Sequence, residues 1–260
     1  MKLEYPVSSS PLKGCEFPSV SIERILIMKK NRIFSLLMLL MTVLLAGCSS
    51  EQKAVMTDEP VIAETPTDIK TVACIGDSIT YGAGVSSRAE TYPAYLQLLL
   101  GEGYSGKNYG LNGRTLLKDA DFPYTEESYY TESLELKADI YIIMLGSNDS
   151  RPSCWNEENY RTELREFVES YQAVSDDTKV YLMQPPKCFA PSGYGISDDV
   201  ISTEIYEAVK DVAKETGAGL IDLYSFTKDH SEWFPDSVHP NAEGNEAIAG
   251  YIFECMNIAD

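Results

Sequence analysis

Residues 72–82, which read VACIGDSITYG, constrain the possible folds of this chain more than any other stretch. Apolar residues and a cysteine run directly into Gly76-Asp77-Ser78, and a further glycine and an apolar segment of helical character follow. The pattern predicts a buried strand that ends at Ser78 and turns into a helix. In an α/β sheet such a serine lies at the carboxyl end of its strand, where ligands bind, and N–H groups at the helix start can hold an anion. Ser78 is therefore the first candidate functional residue.

The rest of the chain alternates short apolar strands with amphipathic helices. Further strands are predicted at residues 107–110, 139–145, 179–183 and 218–223. Helices are predicted at residues 92–100, 159–174, 200–214 and 241–255, and a surface loop at residues 121–130. Alternation of this kind indicates a doubly wound parallel sheet with right-handed crossovers. We therefore predict an α/β fold, a three-layer sandwich around a central five-stranded parallel sheet.

Length and charge narrow the class of protein. With 260 residues and 44% hydrophobic content, the chain is long enough for one sizeable domain with a full core. The formal net charge is -19, from 40 acidic and 21 basic residues. Such an excess of negative charge disfavours binding to phosphate backbones, so no nucleic-acid partner is expected. It suits a domain that meets neutral or weakly charged substrates.

The amino-terminal residues have the composition of a targeting signal. A basic stretch at residues 28–32 and an apolar run at residues 33–45 lead into Leu-Ala-Gly and then Cys48. The apolar run is too short for a good transmembrane helix. The pattern resembles a bacterial lipoprotein signal at residues 28–47, in which Cys48 is lipid-modified. An ordinary secretory signal and an uncleaved anchor remain the alternatives.

The segments beside this signal complete the predicted domain plan. Residues 1–27 precede a plausible start at Met28 and are expected to be a disordered upstream extension. Residues 48–68, rich in Glu, Thr, Pro and Ala, predict a flexible tether. The folded domain is expected at residues 69–260. We expect it to be exported and anchored to the bacterial cell envelope through lipidated Cys48, facing away from the cytoplasm.

Two cysteines in the predicted domain raise the question of a disulfide. Cys154 and Cys188 each follow a predicted strand, so both are placed near the same loop-bearing edge. Export makes a bridge between them a reasonable hypothesis. Cys74 lies within an apolar strand and is expected to be part of the core.

A serine hydroxyl needs a base to act as a nucleophile, and the chain has only two histidines. His239 follows Asp236 by three residues, just before the last predicted helix, so the aspartate can reach its Nδ1–H and leave Nε2 facing the serine. His230 has an adjacent acidic residue that points elsewhere. We therefore favour His239 as the base and place His230 on a solvated loop.

Acyl transfer also needs hydrogen-bond donors for the oxyanion that forms. The backbone N–H groups of Ser78 and Gly110 and the side-chain amide of Asn148 are candidates, because all three follow predicted strands. Each motif alone has a plain structural explanation as a turn, a cap or a surface pair. Their order, and their common position at strand ends, favours a functional site.

Four ordered blocks resemble those of the SGNH hydrolases, also called the GDSL esterase/lipase family. The matching blocks are Gly76-Asp77-Ser78-Ile79-Thr80, Asn108-Tyr109-Gly110, Gly146-Ser147-Asn148-Asp149 and Asp236-Ser237-Val238-His239-Pro240. The resemblance covers about residues 70–258 and implies the flavodoxin-like fold of that family. No cofactor and no metal are implied.

The resemblance also implies a role for each block. Ser78 would be the nucleophile, His239 the base and Asp236 the acid that orients it. The Ser78 N–H, the Gly110 N–H and the Asn148 side chain would form the oxyanion hole. Asp77 is expected to order the turn through bonds to the backbone.

The substrate is less constrained than the chemistry. Polar aromatic residues in the predicted loops favour sugar esters over long acyl chains, and no long apolar lid is visible. These aromatic residues are Tyr124, Tyr129, Tyr130, Trp155 and Tyr194. Residues 145–155 also resemble those of members grouped with sialate or xylan O-acetylesterases. The expected substrate contacts are Arg114, Trp155 and Tyr124, with a structural salt bridge as the alternative for Arg114.

The expected function is therefore that of a serine esterase that removes small acyl groups, chiefly O-acetyl, from extracellular carbohydrates. A lysophospholipase or thioesterase that acts on longer acyl chains is the alternative among enzymes. A non-catalytic glycan-binding lipoprotein is the alternative from another class. Transfer of the acyl group to a second sugar also stays open, because the same acyl-enzyme would serve it.

Overall fold

The structure is a computed structural model that describes residues 69–189 and 193–257. The predictions made for residues 1–27, 28–47 and 48–68, including Cys48, lie outside the described residues. Within the described part of the chain, no helix combines the length and apolar character that spanning a membrane requires.

Five strands form one parallel sheet, as the sequence predicts. The strands are Lys70–Gly76 (β1), Tyr104–Gly110 (β2), Ile140–Met144 (β3), Lys179–Met183 (β4) and Gly219–Ile221 (β5). Their order across the sheet is β2-β1-β3-β4-β5, and every neighbouring pair is parallel. This confirms the predicted α/β fold with a central five-stranded parallel sheet.

Helices connect the strands and cover the sheet. The longer ones are Tyr92–Leu100 (α2), Ser128–Glu135 (α3), Glu157–Gln172 (α4), Tyr206–Thr216 (α5) and Ala242–Cys255 (α7). Two short helices are Ser78–Tyr81 (α1) and Leu223–Thr227 (α6). Helix α5 continues from a short helix at Asp198–Val200 and a π-helical turn at Ile201–Ile205. Short 3-10 turns lie at Arg88–Glu90, Tyr124–Glu126 and Ser231–Trp233.

The sheet divides the core into two apolar layers. All five residues of β3 are buried, and because side chains alternate along a strand, Tyr141 and Ile143 face one layer while Ile142 and Met144 face the other. The first layer packs against α4 and α5, and the second against α2 and α7. The three-layer arrangement therefore follows from strands that are apolar on both faces.

Helices α2 and α7 are joined by a buried hydrogen bond. Asn245, which is fully buried in α7, accepts from the backbone N–H of Tyr92 at 2.8 Å. That N–H belongs to the first turn of α2 and has no partner inside its own helix. Thr91 caps the same helix by accepting from Ala94 N, and Pro93 lies in its first turn.

The structure differs from the sequence prediction at residues 121–130. These residues do not form a surface loop throughout, because Tyr124 is fully buried and Ser128 begins α3. The Tyr124 hydroxyl donates to the carbonyl of Tyr109 at 2.6 Å, which satisfies the buried polar group. The hypothesis of a Cys154–Cys188 disulfide is also wrong in this structure, where the two cysteines are not bridged.

The strand order places a crevice at the carboxyl ends of the two central strands. From β1 the chain passes to β2 on one side and then crosses to β3 on the other side of β1. Ligands bind at such a reversal of strand order in open parallel sheets. The segments that follow β1, β2 and β3 therefore meet at one place.

Candidate active site

The turn after β1 exposes Ser78 at the start of α1. The buried Asp77 caps the helix, and its Oδ1 accepts from Ile79 N at 2.9 Å, as predicted for a residue that orders the turn. A side chain at Gly76 would lie 2.2 Å from Thr80 Oγ1 and 2.7 Å from Met144 O. Glycine is therefore required for the tight passage from strand to helix.

The structure brings Ser78, His239 and Asp236 together in a chain of hydrogen bonds. Ser78 Oγ lies 2.8 Å from His239 Nε2, and His239 Nδ1 lies 2.7 Å from Asp236 Oδ2. The His239 side chain is 8% exposed, whereas that of Asp236 is 40% exposed. A serine, an imidazole and a carboxylate in this order are the components of a Ser–His–Asp triad.

A tight turn at residues 236–239 holds the imidazole against the carboxylate. Asp236 Oδ1 accepts from the backbone N–H groups of Val238 at 3.0 Å and His239 at 2.7 Å. Ser237 between them has a φ of +72°, a left-handed conformation that lets the turn close. Partial burial opposes the charged form, but the donors from His239 and Val238 outweigh it and lower the pKa of Asp236 to about 2.

Tyr194 completes the surroundings of Asp236. Its hydroxyl lies 3.2 Å from Asp236 Oδ2, and its ring meets the His239 ring edge to face with centroids 5.1 Å apart. The hydrogen bond to Asp236 raises the pKa of the Tyr194 phenol. The side chain is 48% exposed, so an aromatic ring beside the imidazole faces solvent.

The loop after α1 packs directly against His239. A Cβ on Gly84 would lie 2.3 Å from Pro240 O and 3.0 Å from His239 Cβ. Only a glycine permits this approach of two backbones. The sequence analysis did not single out Gly84, and its neighbours in the sequence carry no signal for this contact.

His230 lies in a different environment from His239. Its Nδ1 is 2.8 Å from Glu232 Oε1, and its ring stacks on Trp233 with centroids 3.8 Å apart. Its side chain is 40% exposed, which fits the solvated loop that the sequence predicts for this histidine.

Asn148 lies in the crevice directly after β3. It is 4% exposed, and its Nδ2 donates to Arg114 O at 3.0 Å and faces Asp77 Oδ2 at 3.4 Å. Its Oδ1 accepts from the guanidinium of Arg151. Ser78, the first residue of α1, has an N–H that no carbonyl of its own helix can accept. The Ser78 N–H and the Asn148 amide therefore lie after β1 and β3, as the sequence predicts.

The structure corrects the prediction for Gly110. Its N–H already donates to Asn108 Oδ1 at 2.9 Å. A Cβ at this position would lie 2.1 Å from Tyr81 N, so the glycine is required where β2 packs against α1. Gly110 therefore lacks a side chain because β2 packs closely against α1, and its backbone is not open to a ligand.

Gly113, for which no role was predicted from the sequence, lies three residues after Gly110 and has open space where a side chain would be. Its φ is +76°, and beyond its two chain neighbours no described atom lies within 4 Å of the position that a Cβ would take. The next residue is Arg114, whose carbonyl accepts from Asn148 Nδ2. This brings the Gly113 backbone close to the Asn148 amide. The second glycine of Gly110-Leu111-Asn112-Gly113 was the available signal.

Asp149 was also missed, and it anchors the segment that contains Gly113. The carboxylate is fully buried and accepts from Leu116 N and Leu117 N at 2.8–3.1 Å. Burial raises its pKa to about 7 although these N–H groups lower it. Burial likewise raises the pKa of Asp77 to about 6, against the Ile79 N–H and the charge of His239. Both carboxyls therefore hold loops at the carboxyl edge of the sheet.

The three predicted substrate contacts have partners within the protein. Arg114 Nη2 and Nε bind Glu127 Oε1 at 2.6 and 2.8 Å, and its Nη1 donates to Asn112 O. The salt bridge, which was the alternative for Arg114, is thus present.

The two aromatic contacts differ from each other. The expectation that Tyr124 binds substrate is wrong, because the residue is fully buried in the core. Trp155 is partly buried, with its indole N–H donating to Glu204 Oε2 at 2.8 Å and its ring against Tyr160. Its role in substrate binding stays a prediction.

Metal ligands are not clustered in the described residues. Nowhere in residues 69–189 and 193–257 do three or more His, Cys, Asp or Glu side chains form a group able to hold a metal ion.

The fold and site define an α/β protein with a Ser–His–Asp arrangement at the carboxyl edge of a parallel sheet. The model of the GDSL-like lipase/acylhydrolase family matches residues 74–247, a range that contains Ser78, Asn148 and His239. The chain belongs to this family.

A curated relative is similar in sequence to a large part of this chain. An acetylxylan esterase from Xylanibacter ruminicola is 36% identical over 201 residues, which cover 70% of this chain and 42% of the relative. The chain therefore spans less than half the length of this relative.

Solved structures share the fold at lower identity. A carbohydrate acetylesterase from Sinorhizobium meliloti matches with a TM-score of 0.57 at 21% identity, covering 72% of this chain and 98% of that one. An acetyl-xylooligosaccharide esterase from Geobacillus stearothermophilus matches with a TM-score of 0.58 at 20% identity, covering 73% and 95%. These matches support the α/β sandwich as the architecture.

Proposed function

We propose that this protein is a serine esterase that removes O-acetyl groups from carbohydrates through an acyl-enzyme on Ser78. The observation that carries the proposal is the hydrogen-bonded chain from Ser78 Oγ through His239 to Asp236, with separations of 2.8 and 2.7 Å. This arrangement lies at the carboxyl edge of the sheet, where the polar side chains that follow β1 and β3 also lie. Family membership supports acyl-ester hydrolysis as the reaction.

Each of the three hydrogen-bonded residues has a defined role in the proposed reaction. His239 Nε2 takes the proton from Ser78 Oγ as that oxygen attacks the ester carbonyl carbon. The resulting imidazolium returns the proton to the sugar oxygen, which leaves as the C–O bond breaks. Water then attacks the acyl-enzyme with the same base, and acetate and free Ser78 result. Asp236, ionised because its pKa is about 2, stabilises the imidazolium.

The oxyanion would be held by donors at the ends of β1, β2 and β3. We assign this role to the Ser78 N–H and the Asn148 amide, as the sequence predicts, and to the Gly113 N–H in place of Gly110. The open backbone at Gly113 and the occupied N–H of Gly110 support this change. Donors fixed before the reaction stabilise the developing charge without reorganisation.

Carbohydrate as the substrate class is supported by two independent observations. The curated relative and both solved structures described above carry names of carbohydrate acetylesterases. The exposed ring of Tyr194 lies beside His239, where the alcohol portion of an ester would leave. Aromatic rings bury the apolar C–H faces of sugars at a low entropic cost, since Tyr has only two side-chain torsions.

The proposal is tested by acetate release from acetylated xylan, acetylated xylo-oligosaccharides and O-acetylated sialosides. Wild type should release acetate, and Ser78→Ala should lose at least about 10³-fold in kcat. Ser86→Ala, which removes an exposed hydroxyl bonded to Glu90, is the matched control and should match wild type. Activity retained in Ser78→Ala would overturn the mechanism. A strong preference for octanoyl over acetyl aryl esters would overturn the substrate and favour the lysophospholipase or thioesterase alternative.

We further propose that the domain is exported and tethered to the cell envelope through lipidated Cys48. The support is the sequence pattern of residues 28–48 alone. Incorporation of a labelled fatty acid into the full chain, compared with Cys48→Ser, tests this. Equal labelling of the two proteins, or labelling of neither, would contradict it.

A further inference from the structure

We propose that Arg151 is a positioning residue for the oxyanion hole, acting by orienting and polarising the Asn148 side-chain amide. The proposal rests on the function proposed for this site, since Asn148 is one of its oxyanion donors. The contact that motivates it is the hydrogen bond from Arg151 Nη2 to Asn148 Oδ1.

An asparagine amide stabilises an oxyanion only when its nitrogen faces the reacting carbonyl. The two ends of the amide are nearly equal in size, so packing alone does not select one orientation. The partners do. Arg114 O can only accept and lies 3.0 Å from Asn148 Nδ2, whereas the Arg151 guanidinium can only donate and contacts Oδ1.

Rotation of the amide by 180° would break both contacts. It would place oxygen against the Arg114 carbonyl and N–H groups against the Arg151 guanidinium. Asn148 is 4% exposed, so water cannot replace the lost bonds readily. The Arg151 contact is the stronger restraint, because a hydrogen bond from a charged donor exceeds a neutral one. Without Arg151, the inactive orientation is opposed only by the Arg114 carbonyl at 3.0 Å and by the longer contact with Asp77 Oδ2 at 3.4 Å.

The guanidinium has a second effect on the same amide. A cation on Oδ1 draws electron density toward the oxygen and makes the Nδ2–H groups better donors, since hydrogen bonds in a chain strengthen one another. One of those hydrogens is engaged by Arg114 O. The other has only a long contact of 3.4 Å with Asp77 Oδ2, and it is the one available to the oxyanion.

The backbone holds Arg151 where this contact requires it. Arg151 N donates to Asn148 O at 3.4 Å, and Arg151 O accepts from Cys154 N and Trp155 N, both at 3.0 Å. The two residues therefore belong to one turn after β3. Arg114 cannot substitute for Arg151, because Glu127 and Asn112 O already occupy its guanidinium.

The test is a double-mutant cycle between Arg151→Met and Asn148→Ala, measured with 4-nitrophenyl acetate. Methionine keeps the length of the arginine stem and removes every donor. Arg151→Met should lower kcat about 10- to 100-fold with KM within about threefold, because removing an oxyanion donor outright costs about 10²–10³ in kcat. In the Asn148→Ala background, Arg151→Met should cost no more than about twofold.

Two further variants keep the test decisive if the methionine variant folds poorly. Arg151→Lys and Arg151→Gln each keep one donor for Oδ1 and should recover part of the loss. Arg161→Met is the matched control, since that arginine of α4 binds Glu157 of its own helix and Asp211 of α5. It should leave kcat unchanged.

The outcomes separate this inference from the proposed function. Additive losses in the cycle, or a loss confined to KM, would show that Arg151 acts on substrate or on the fold and would overturn the inference. An unchanged kcat in Arg151→Met or in Asn148→Ala would overturn it as well. In all these cases an inactive Ser78→Ala variant would leave the proposed serine esterase mechanism standing.

Discussion

Ser78 Oγ and His239 Nε2 lie 2.8 Å apart, although 161 residues separate them along the chain. The serine is fixed by the end of β1, and the histidine by a turn that precedes α7. Contact between them depends on how the whole sheet and its covering helices pack. Small displacements of either segment should therefore lower the reaction rate.

Asp236→Asn tests the electrostatic role of the aspartate in the Ser–His–Asp triad. Asparagine keeps the shape but removes the charge that stabilises the imidazolium, so kcat should fall by about 10²–10⁴ with little change in folding. Steady-state kinetics and a circular dichroism melt measure the two effects. Because the pKa of Asp236 is about 2, protonation of this group should not limit wild-type activity above about pH 4. An asparagine variant as active as wild type would contradict the assignment.

Gly84→Ala tests the packing that supports His239. The new Cβ would lie 2.3 Å from Pro240 O and 3.0 Å from His239 Cβ, so the histidine segment must shift away. A shift approaching 1 Å in this segment should cost about 10²-fold in kcat/KM. Gly103→Ala is the matched control, since beyond its two chain neighbours no described atom lies within 4 Å of its added Cβ. Equal kinetics for the two variants would refute the claim that Gly84 positions His239.

Asp149→Asn tests a dependence of stability on pH. The folded-state pKa of about 7 lies above the ordinary value near 3.8, so between these pH values the folded protein binds more protons than the unfolded chain. The contribution of Asp149 to the free energy of unfolding therefore falls as pH rises from about 4 to about 7. Asparagine does not titrate, so the variant should show a shallower decline over that range.

Urea unfolding at several pH values measures this difference. Asp119→Asn, at an exposed position in the same segment, is the control and should follow the wild-type curve. The idea fails if Asp149→Asn and wild type lose stability in parallel from pH 4 to pH 7.

Two substitutions at Tyr194 separate its hydroxyl from its ring. Tyr194→Phe removes one donor to Asp236, an exposed hydrogen bond of 3.2 Å, and should change kcat less than about threefold because three donors to that carboxylate remain. Tyr194→Ala removes the exposed aromatic surface as well. Its KM for acetylated xylo-oligosaccharides should rise about 5- to 20-fold, with 4-nitrophenyl acetate hydrolysis little changed. Equal effects of alanine on both substrates would argue against a sugar contact.

The sheet and most of its helices were predictable from local pattern. Strand β4 and helix α2 have the bounds predicted for them, 179–183 and 92–100. In α2 the threonine cap, the early proline and the terminal Gly101 are all local signals. Such elements carry their own start and stop signals, so tertiary packing changes little at their ends.

The buried tyrosine at position 124 was not predictable in the same way. The residues around it, DFPYTEE, show neither strand nor helix periodicity, and its buried hydroxyl needs the carbonyl of Tyr109 as its acceptor. A tyrosine that has such a partner enters the core, and one without a partner stays at the surface. That partner is supplied by the end of β2 and is invisible to local pattern.

Gly110 and Gly113 show the same limit within the candidate site. Gly110 ends the β2 pattern and Gly113 follows it, and sequence alone does not distinguish a glycine that admits another backbone from one that faces open space. The distinction arises from α1, which packs against Gly110 through Tyr81. The positions of Ser78 and Asn148 needed no such information, because the strand-end rule already places both at one edge. His239 lies in the turn before α7, and its spacing of three residues from Asp236 was the signal for it.

The buried hydrogen bond between Asn245 and Tyr92 has a consequence for biosynthesis. Helix α2 leaves the ribosome with its first N–H unsatisfied, and the acceptor appears only when α7 has been made. At about 5–20 residues per second, the 161 residues between Ser78 and His239 take about 8–30 s to translate. Throughout that interval a nascent chain has Ser78 but lacks the histidine that would act as its base. Under the proposed mechanism, ester cleavage requires the turn that carries His239, so activity can begin only after nearly the whole domain has been synthesised.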